Sequence, residues 1–305
     1  MIFVEKLIEL IKEKKSVVCM GLDPRMDDEG QIPKYLVDDL NEPNEIITEF
    51  NKTLIDNAHD LIPIIKPQIA FYEKYDALTA LKETINYARK KDLLVILDSK
   101  RNDIGSTSEA YAHSNFKVYG ADACTVNAYF GIDGVQPFLD YKDKGVFILV
   151  KTSNPSSREF QNIFSAEMRG IPDTQIETTV KEIKLERNYI YMARLVNKWS
   201  KNLTDFSGYH NLGVVVGATY PDELKTIREI LKNSFILIPG YGAQGAQAKD
   251  INYGFNNEGL GGIVNSSRSI MFAYHDKNYP PEKFGEAARE EIIDMNIKIN
   301  KEIGL

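Results

Sequence analysis

Leu93-Leu94-Val95-Ile96-Leu97-Asp98-Ser99-Lys100-Arg101-Asn102-Asp103-Ile104-Gly105-Ser106-Thr107 opens as an unbroken apolar run and then turns to charge. A half-exposed strand alternates apolar and polar positions. Five apolar residues in a row fit a strand covered on both faces, as in a parallel sheet flanked by helices. Seven further runs of this kind occupy residues 16–22, 61–66, 121–127, 146–152, 212–219, 235–240 and 261–266. Between them lie stretches with helical periodicity, among them Tyr72 to Lys91, Ile104 to Tyr119, Pro221 to Asn233 and Glu282 to Ile303. Strand and helix alternate along the whole chain, which argues for an α/β architecture. About eight units favour a closed (β/α)8 barrel over a doubly wound open sheet.

The 305 residues form, on this reading, a single barrel domain, residues 1–305. One connection is long. Residues 153–211 are polar at first and then helical from Glu177 to Asn202. Their thin apolar content predicts a helical insertion between strands 5 and 6, not a separate core. The N-terminal stretch MIFVEKLIELIKEKK mixes charged and apolar residues. It reads as an amphipathic helix across the bottom of the barrel, not a signal peptide.

A net charge of −7 argues against general affinity for nucleic acid or anionic membrane, so an anionic ligand would need a local basic cluster. No apolar run has the length of a membrane span. Cys19 and Cys124 lie in apolar runs and read as buried free thiols of a reducing compartment, so the expected location is cytoplasmic. His59, His113, His210 and His275 show no metal-ligand spacing, and no Ser–His–Asp arrangement stands out. Lysine and aspartate remain as acid–base candidates.

Asp98 and Lys100 are two residues apart, so a regular strand points both the same way, at the C-terminal end where barrels build their sites. A buried ion pair tying strands together explains these two residues equally well. Other strand ends add to them: Asp23 after the first run, Lys66 after the second, Ser153 after the fifth. Each alone could be a turn former or a solvated strand-end residue. Together they converge on one rim. Gly240-Tyr241-Gly242-Ala243-Gln244-Gly245 matches G-x-G-x-x-G, but no acidic residue ends a second strand at the distance a dinucleotide site needs. It reads better as a glycine loop whose amides and Gln244 reach a phosphate. Arg268 opens a helix after the eighth run, where barrels often clamp phosphate.

With these residues in order, the chain resembles the orotidine 5'-monophosphate decarboxylase family, in its longer bacterial branch. DSKRNDIGST resembles that family's D-x-K-x-x-D-I-x-x-T, and GLDPR, KPQIAFYE, KTSNP, PGYGAQG and the strand-eight arginine follow in the family's order. Asn102 stands where the longer branch often has glycine. The resemblance implies a cofactor-free, metal-free enzyme converting orotidine 5'-monophosphate to uridine 5'-monophosphate. It implies a charge network of Lys66, Asp98, Lys100 and Asp103, with Lys100 stabilising and protonating the C6 carbanion. It implies ribose contacts from Asp23 and Lys66, a ring-amide contact from Ser153, and phosphate contacts from Gln244 and Arg268. It further implies a homodimer in which Asp103 and Thr107 enter the neighbouring site. Two other readings compete. One is a metal-dependent sugar-phosphate lyase on the same barrel. The other is a non-catalytic nucleotide-monophosphate-binding protein, which would be expected to have lost Lys100 or an aspartate.

Overall fold

The computed structural model describes residues 1–27, 31–166, 185–203, 205–206, 208–242 and 245–305. All eight apolar runs are strands: β1 (Val18–Leu22), β2 (Ile64–Pro67), β3 (Leu94–Arg101), β4 (Ala123–Val126), β5 (Gly145–Lys151), β6 (Tyr209–Val216), β7 (Ser234–Pro239) and β8 (Gly262–Ser266). Each pairs in parallel with the next, and β8 pairs with β1, so the sheet closes on itself. The register sets Gly21 beside Lys66, Cys19 beside Asn265 and Leu149 beside Val215. Both faces of β1, β2 and β4 are buried along their whole length, which is why their sequences do not alternate.

Eight longer helices are used below: α1 (Phe3–Lys14), α2 (Pro43–Ala58), α3 (Leu78–Lys90), α4 (Gly105–His113), α5 (Ile132–Leu139), α6 (Asn188–Trp199), α7 (Pro221–Ile230) and α8 (Phe284–Ile303). The outer core lies between helices and strands. Phe50 of α2 stacks on Phe284 of α8 with ring centroids 5.0 Å apart, and both are fully buried. Burying one such ring contributes about 1.5–3 kcal/mol.

Helix α1 buries Phe3, Val4, Leu7, Ile8 and Ile11, one face of a helix. It lies across the N-terminal ends of the strands. The Phe3 amide donates to Asp143 O (3.0 Å) just before β5, and the Val4 amide donates to Asn211 Oδ1 (2.9 Å) in β6. The Phe3 ring meets Phe147 edge-on at 6.0 Å.

The helical pattern from Tyr72 to Lys91 is in fact two helices, Ile69–Lys74 and α3. They part at Asp76, whose left-handed φ of 51° cannot continue an α-helix. The pattern from Ile104 to Tyr119 is α4 followed by a π-helical turn, Ser114–Val118. The insertion also differs from expectation. Its helix starts at Asn188, while residues 177–184, where the pattern placed its beginning, lie outside the described residues. Tyr189, Ala193 and Val196 are buried, so α6 is cladding on the barrel. Short strands Phe164–Ser165 and Glu186–Arg187 pair at its base.

Cys19 and Cys124 are free and buried. Burial pushes both thiols up to about 12, which leaves neither as a thiolate nucleophile.

Candidate active site

Strand β3 pairs regularly with β4 as far as Leu97 opposite Cys124, then slips so that Arg101 lies opposite Val126. The slip is a bulge, and Lys100 sits in it with a left-handed φ of 45°. For a residue with a Cβ that conformation costs on the order of 1–3 kcal/mol and persists only where neighbours hold it. Asp98 and Lys100 therefore do meet as the two-residue spacing suggested, but through a distorted strand end and not through regular alternation.

Asp98 is the hub. Its Oδ2 takes the Lys66 ammonium at 2.9 Å, and its Oδ1 takes the Lys100 ammonium at 2.7 Å. The hydroxyl of Thr125 on β4 donates to the same Oδ1 at 2.7 Å. Lys66 and Asp98 are buried, whereas the Lys100 side chain is 44 % exposed. Burial works against both buried charges, yet their attraction wins. Burial alone would raise the Asp98 carboxyl, but Lys66 and then Lys100 hold it far below the usual carboxylate range. Burial alone would lower Lys66, but Asp98 and then Asp23 raise it above its ordinary value.

Lys66, Asp98, Lys100 and Ser153 line one cavity of about 370 Å³ at the C-terminal end of the barrel. Leu149, Val215, Leu237 and Pro239 give it an apolar wall opposite the charges. Ser153 is held by two devices. A Cβ added at Gly217 would fall 2.9 Å from Ser153 Cα, so only glycine lets the β5 and β6 ends approach this closely. Gln161, from the start of the insertion, accepts from the Thr152 amide (2.9 Å) and donates to its hydroxyl (2.8 Å). The insertion thus braces the loop that carries Ser153.

Asp23, Asp103, Thr107 and Arg268 are not among the residues that line this cavity. The Asp23 amide donates to the Met271 sulfur at 3.4 Å, and its buried Oδ1 has no partner among the described residues. Arg268 is exposed at the start of the short helix Arg268–Met271 after β8. The loop after β7 reaches this helix, since a Cβ on Gly242 would lie 2.6 Å from Ser269 Oγ. Within that loop the amides of Gly242 and Gly245 are already used, on Ala246 O (3.1 Å) and Gly242 O (2.7 Å). Gln244 lies outside the described residues. Asp103 accepts from the Ile104 amide at 2.8 Å, and Thr107 is exposed on α4. Among the described residues no three His, Cys, Asp or Glu side chains group as metal ligands.

Thr125 and Gln161 escaped the sequence reading. Thr125 sits in a buried β-branched run, where threonine is an ordinary strand former. Gln161 lies in a polar connection with no periodicity to mark it.

A closed (β/α)8 barrel with a Lys–Asp–Lys chain at the C-terminal strand ends, buried at Lys66 and Asp98 and open to the cavity at Lys100, places this protein among barrels that carry a charged cavity at that end. The model of the orotidine 5'-phosphate decarboxylase / HUMPS family matches residues 16–279. An orotidine 5'-phosphate decarboxylase of Petrotoga mobilis is 38% identical over 299 residues, covering 96% of each chain. One of Rhodopirellula baltica is 36% identical, covering 97% of this chain and 98% of its own. The solved structure of Leishmania donovani OMP decarboxylase superposes with a TM-score of 0.72 at 31% identity, covering 97% of this chain and all (100%) of that one. The chain belongs to the orotidine 5'-phosphate decarboxylase / HUMPS family.

Proposed function

We propose that the chain decarboxylates orotidine 5'-monophosphate to uridine 5'-monophosphate and CO2, the last step of de novo pyrimidine nucleotide synthesis, in the cytoplasm and without metal or cofactor. The Lys66–Asp98–Lys100 chain beside an apolar-walled cavity, in a chain of this family, carries the reading. Breaking the C6–carboxyl bond leaves its electron pair on C6, with no ring carbonyl placed to delocalise it well. Fixed positive charge must then serve in place of an electron sink. Lys100 is the group for this: its ammonium is partly exposed in the cavity, stabilises the developing anion, and then gives C6 its proton. Asp98 faces the departing carboxylate and keeps Lys100 aimed. Lys66, held charged by Asp98, reaches the ribose with Asp23, and Ser153 binds the ring amide. Arg268 and Gln244 take the phosphate, from which binding energy is drawn into loop closure. The direct test is loss of substrate and appearance of uridine 5'-monophosphate on adding the folded protein.

Arg268→Ala separates phosphate binding from chemistry. An exposed arginine clamping a dianion contributes on the order of 2–4 kcal/mol, so KM for the phosphorylated substrate is expected to rise roughly 30- to 1000-fold. Steady-state kinetics measure this, and an unchanged KM contradicts the clamp.

The same reading includes a homodimer, with Asp103 and Thr107 reaching the partner's site. Its support is a surface that is costly to leave in water. Ile104, Tyr129, Phe130 and Phe160 are 54 %, 70 %, 49 % and 59 % exposed. Tyr129 contacts both Phe130 (5.8 Å) and Phe160 (6.4 Å). Asp103 borders this patch: a Cβ on Gly134 would lie 2.8 Å from Asp103 O and 3.4 Å from Phe130 Cβ.

A further inference from the structure

Thr125 is bonded to both residues at the centre of the proposed chemistry. Its Oγ1 accepts the backbone N–H of Lys100 at 2.9 Å and donates to Asp98 Oδ1 at 2.7 Å. The direction is fixed by valence. An amide can only donate, an ionised carboxylate can only accept, and a hydroxyl has one proton. The Thr125 proton therefore points at Asp98, and its lone pair holds the Lys100 amide. The residue itself is 1 % exposed, so both bonds are made almost wholly out of solvent.

The bulge is clamped from the other side as well. Ser99 Oγ donates to Thr125 O at 3.4 Å, and Asn115 Nδ2 donates to Ser99 Oγ at 3.0 Å. Asn115 lies in the π-helical turn Ser114–Val118, a distortion that such turns often lend to functional sites. The left-handed backbone at Lys100 is thus held by Thr125 within the barrel and by the Ser99–Asn115 link outside it.

We propose that Thr125 is a positioning residue: it keeps Asp98 and the Lys100 backbone fixed during the interval in which Lys100 has given up its proton. While Lys100 is an ammonium, it and Thr125 both donate to Asp98 Oδ1. Once Lys100 is neutral, its hydrogen bond to Asp98 loses its charge and weakens, and the Thr125 hydroxyl and Lys66 are the donors whose strength is unchanged. Without the Thr125 hydroxyl the carboxylate is held chiefly by Lys66 on Oδ2, so its Oδ1 side can shift, and the strained backbone keeps only the Ser99–Asn115 clamp. The ammonium then returns to a displaced position. The inference rests on the decarboxylase reading for its kinetic consequence, but not for the backbone contact.

Thr125→Val keeps the shape and removes the hydroxyl. Thr125→Ala does so without a β-branch, and Thr125→Ser keeps the hydroxyl alone. A displacement of about 1 Å at the proton donor costs on the order of 100-fold. Thr125→Val and Thr125→Ala are therefore expected to lose roughly 10- to 100-fold in kcat, with KM within about threefold of the parent. Amide hydrogen exchange at Lys100 is expected to speed up about tenfold or more, since that amide has lost its acceptor. Thr125→Ser restores both. A kcat for Thr125→Val or Thr125→Ala within twofold of the parent overturns the proposal, as does a Thr125→Ser variant as slow as they are. Unchanged Lys100 exchange in the folded hydroxyl-free variants overturns it too. A parent that does not act on orotidine 5'-monophosphate defeats the functional reading alone, because the exchange measurement still decides whether Thr125 holds Lys100.

Discussion

Lys100→Ala is expected to abolish turnover while the protein stays folded. In the proposed mechanism the loss combines two effects of one ammonium: stabilisation of the C6 anion and delivery of the proton to it. Electrostatic stabilisation by a fixed donor contributes about 10²–10³-fold, and a placed general acid about 10²–10⁴-fold. A fall in kcat of at least about 10⁴-fold follows, or roughly 5.5 kcal/mol in the barrier. Stability should change little. The Lys100 side chain is 44 % exposed, and alanine meets the same left-handed backbone that lysine does. Asp98 keeps Lys66 and Thr125 as donors. Thermal unfolding and steady-state kinetics check both halves, and a variant retaining a tenth of the parent kcat excludes Lys100 as proton donor. Mixing this variant with Asp103→Ala extends the test to the dimer. Each protein alone lacks one group at both sites, but half of randomly mixed dimers would hold one complete site, restoring about a quarter of parent activity. No recovery after confirmed subunit exchange contradicts the shared site.

Asp98→Ala should damage the fold as well as the reaction. It leaves the Lys66 ammonium, 4 % exposed, with no carboxylate bonded to it, and breaking a buried pair in this way costs about 3–5 kcal/mol. The pH dependence follows from the two shifts. Asp98 is lowered in the folded protein, so its contribution is present above the unfolded value of about 3.9 and is lost as pH falls through the folded one. Lys66 is raised, so its contribution is complete below the unfolded value of about 10.4 and is lost as pH rises through the folded one. The stability gap between parent and variant should be flat from about pH 5 to about pH 9 and narrow on either side. Urea unfolding at several pH values measures it. A gap under about 1 kcal/mol at pH 7 means that the pair contributes little beyond its own desolvation.

The barrel was legible because a parallel strand buried on both faces writes itself as a solid apolar run, and eight such runs are hard to arrange otherwise. Lys66, Asp98, Lys100 and Ser153 were legible because they end those runs, and a barrel brings strand ends together. What the sequence hides is local geometry. Nothing in Asp98-Ser99-Lys100 signals a bulge, since the distortion depends on register with β4 and on a hydroxyl from that strand. The break at Asp76 is hidden for a similar reason: an aspartate in a periodic stretch is compatible with a helix until packing turns the chain. The role of Gln161 depends on a fold-back that a polar connection does not announce.

Decarboxylation by fixed charges alone can be followed through the ultraviolet absorbance of orotidine 5'-monophosphate. The measurement follows that absorbance after adding the purified protein, with and without EDTA. Rapid loss is expected, with uridine 5'-monophosphate as product, at the same rate in both. Loss that stops with EDTA and returns with a divalent metal would contradict it in favour of a metal-dependent lyase on the same barrel, and no loss from folded protein would contradict the enzyme reading altogether.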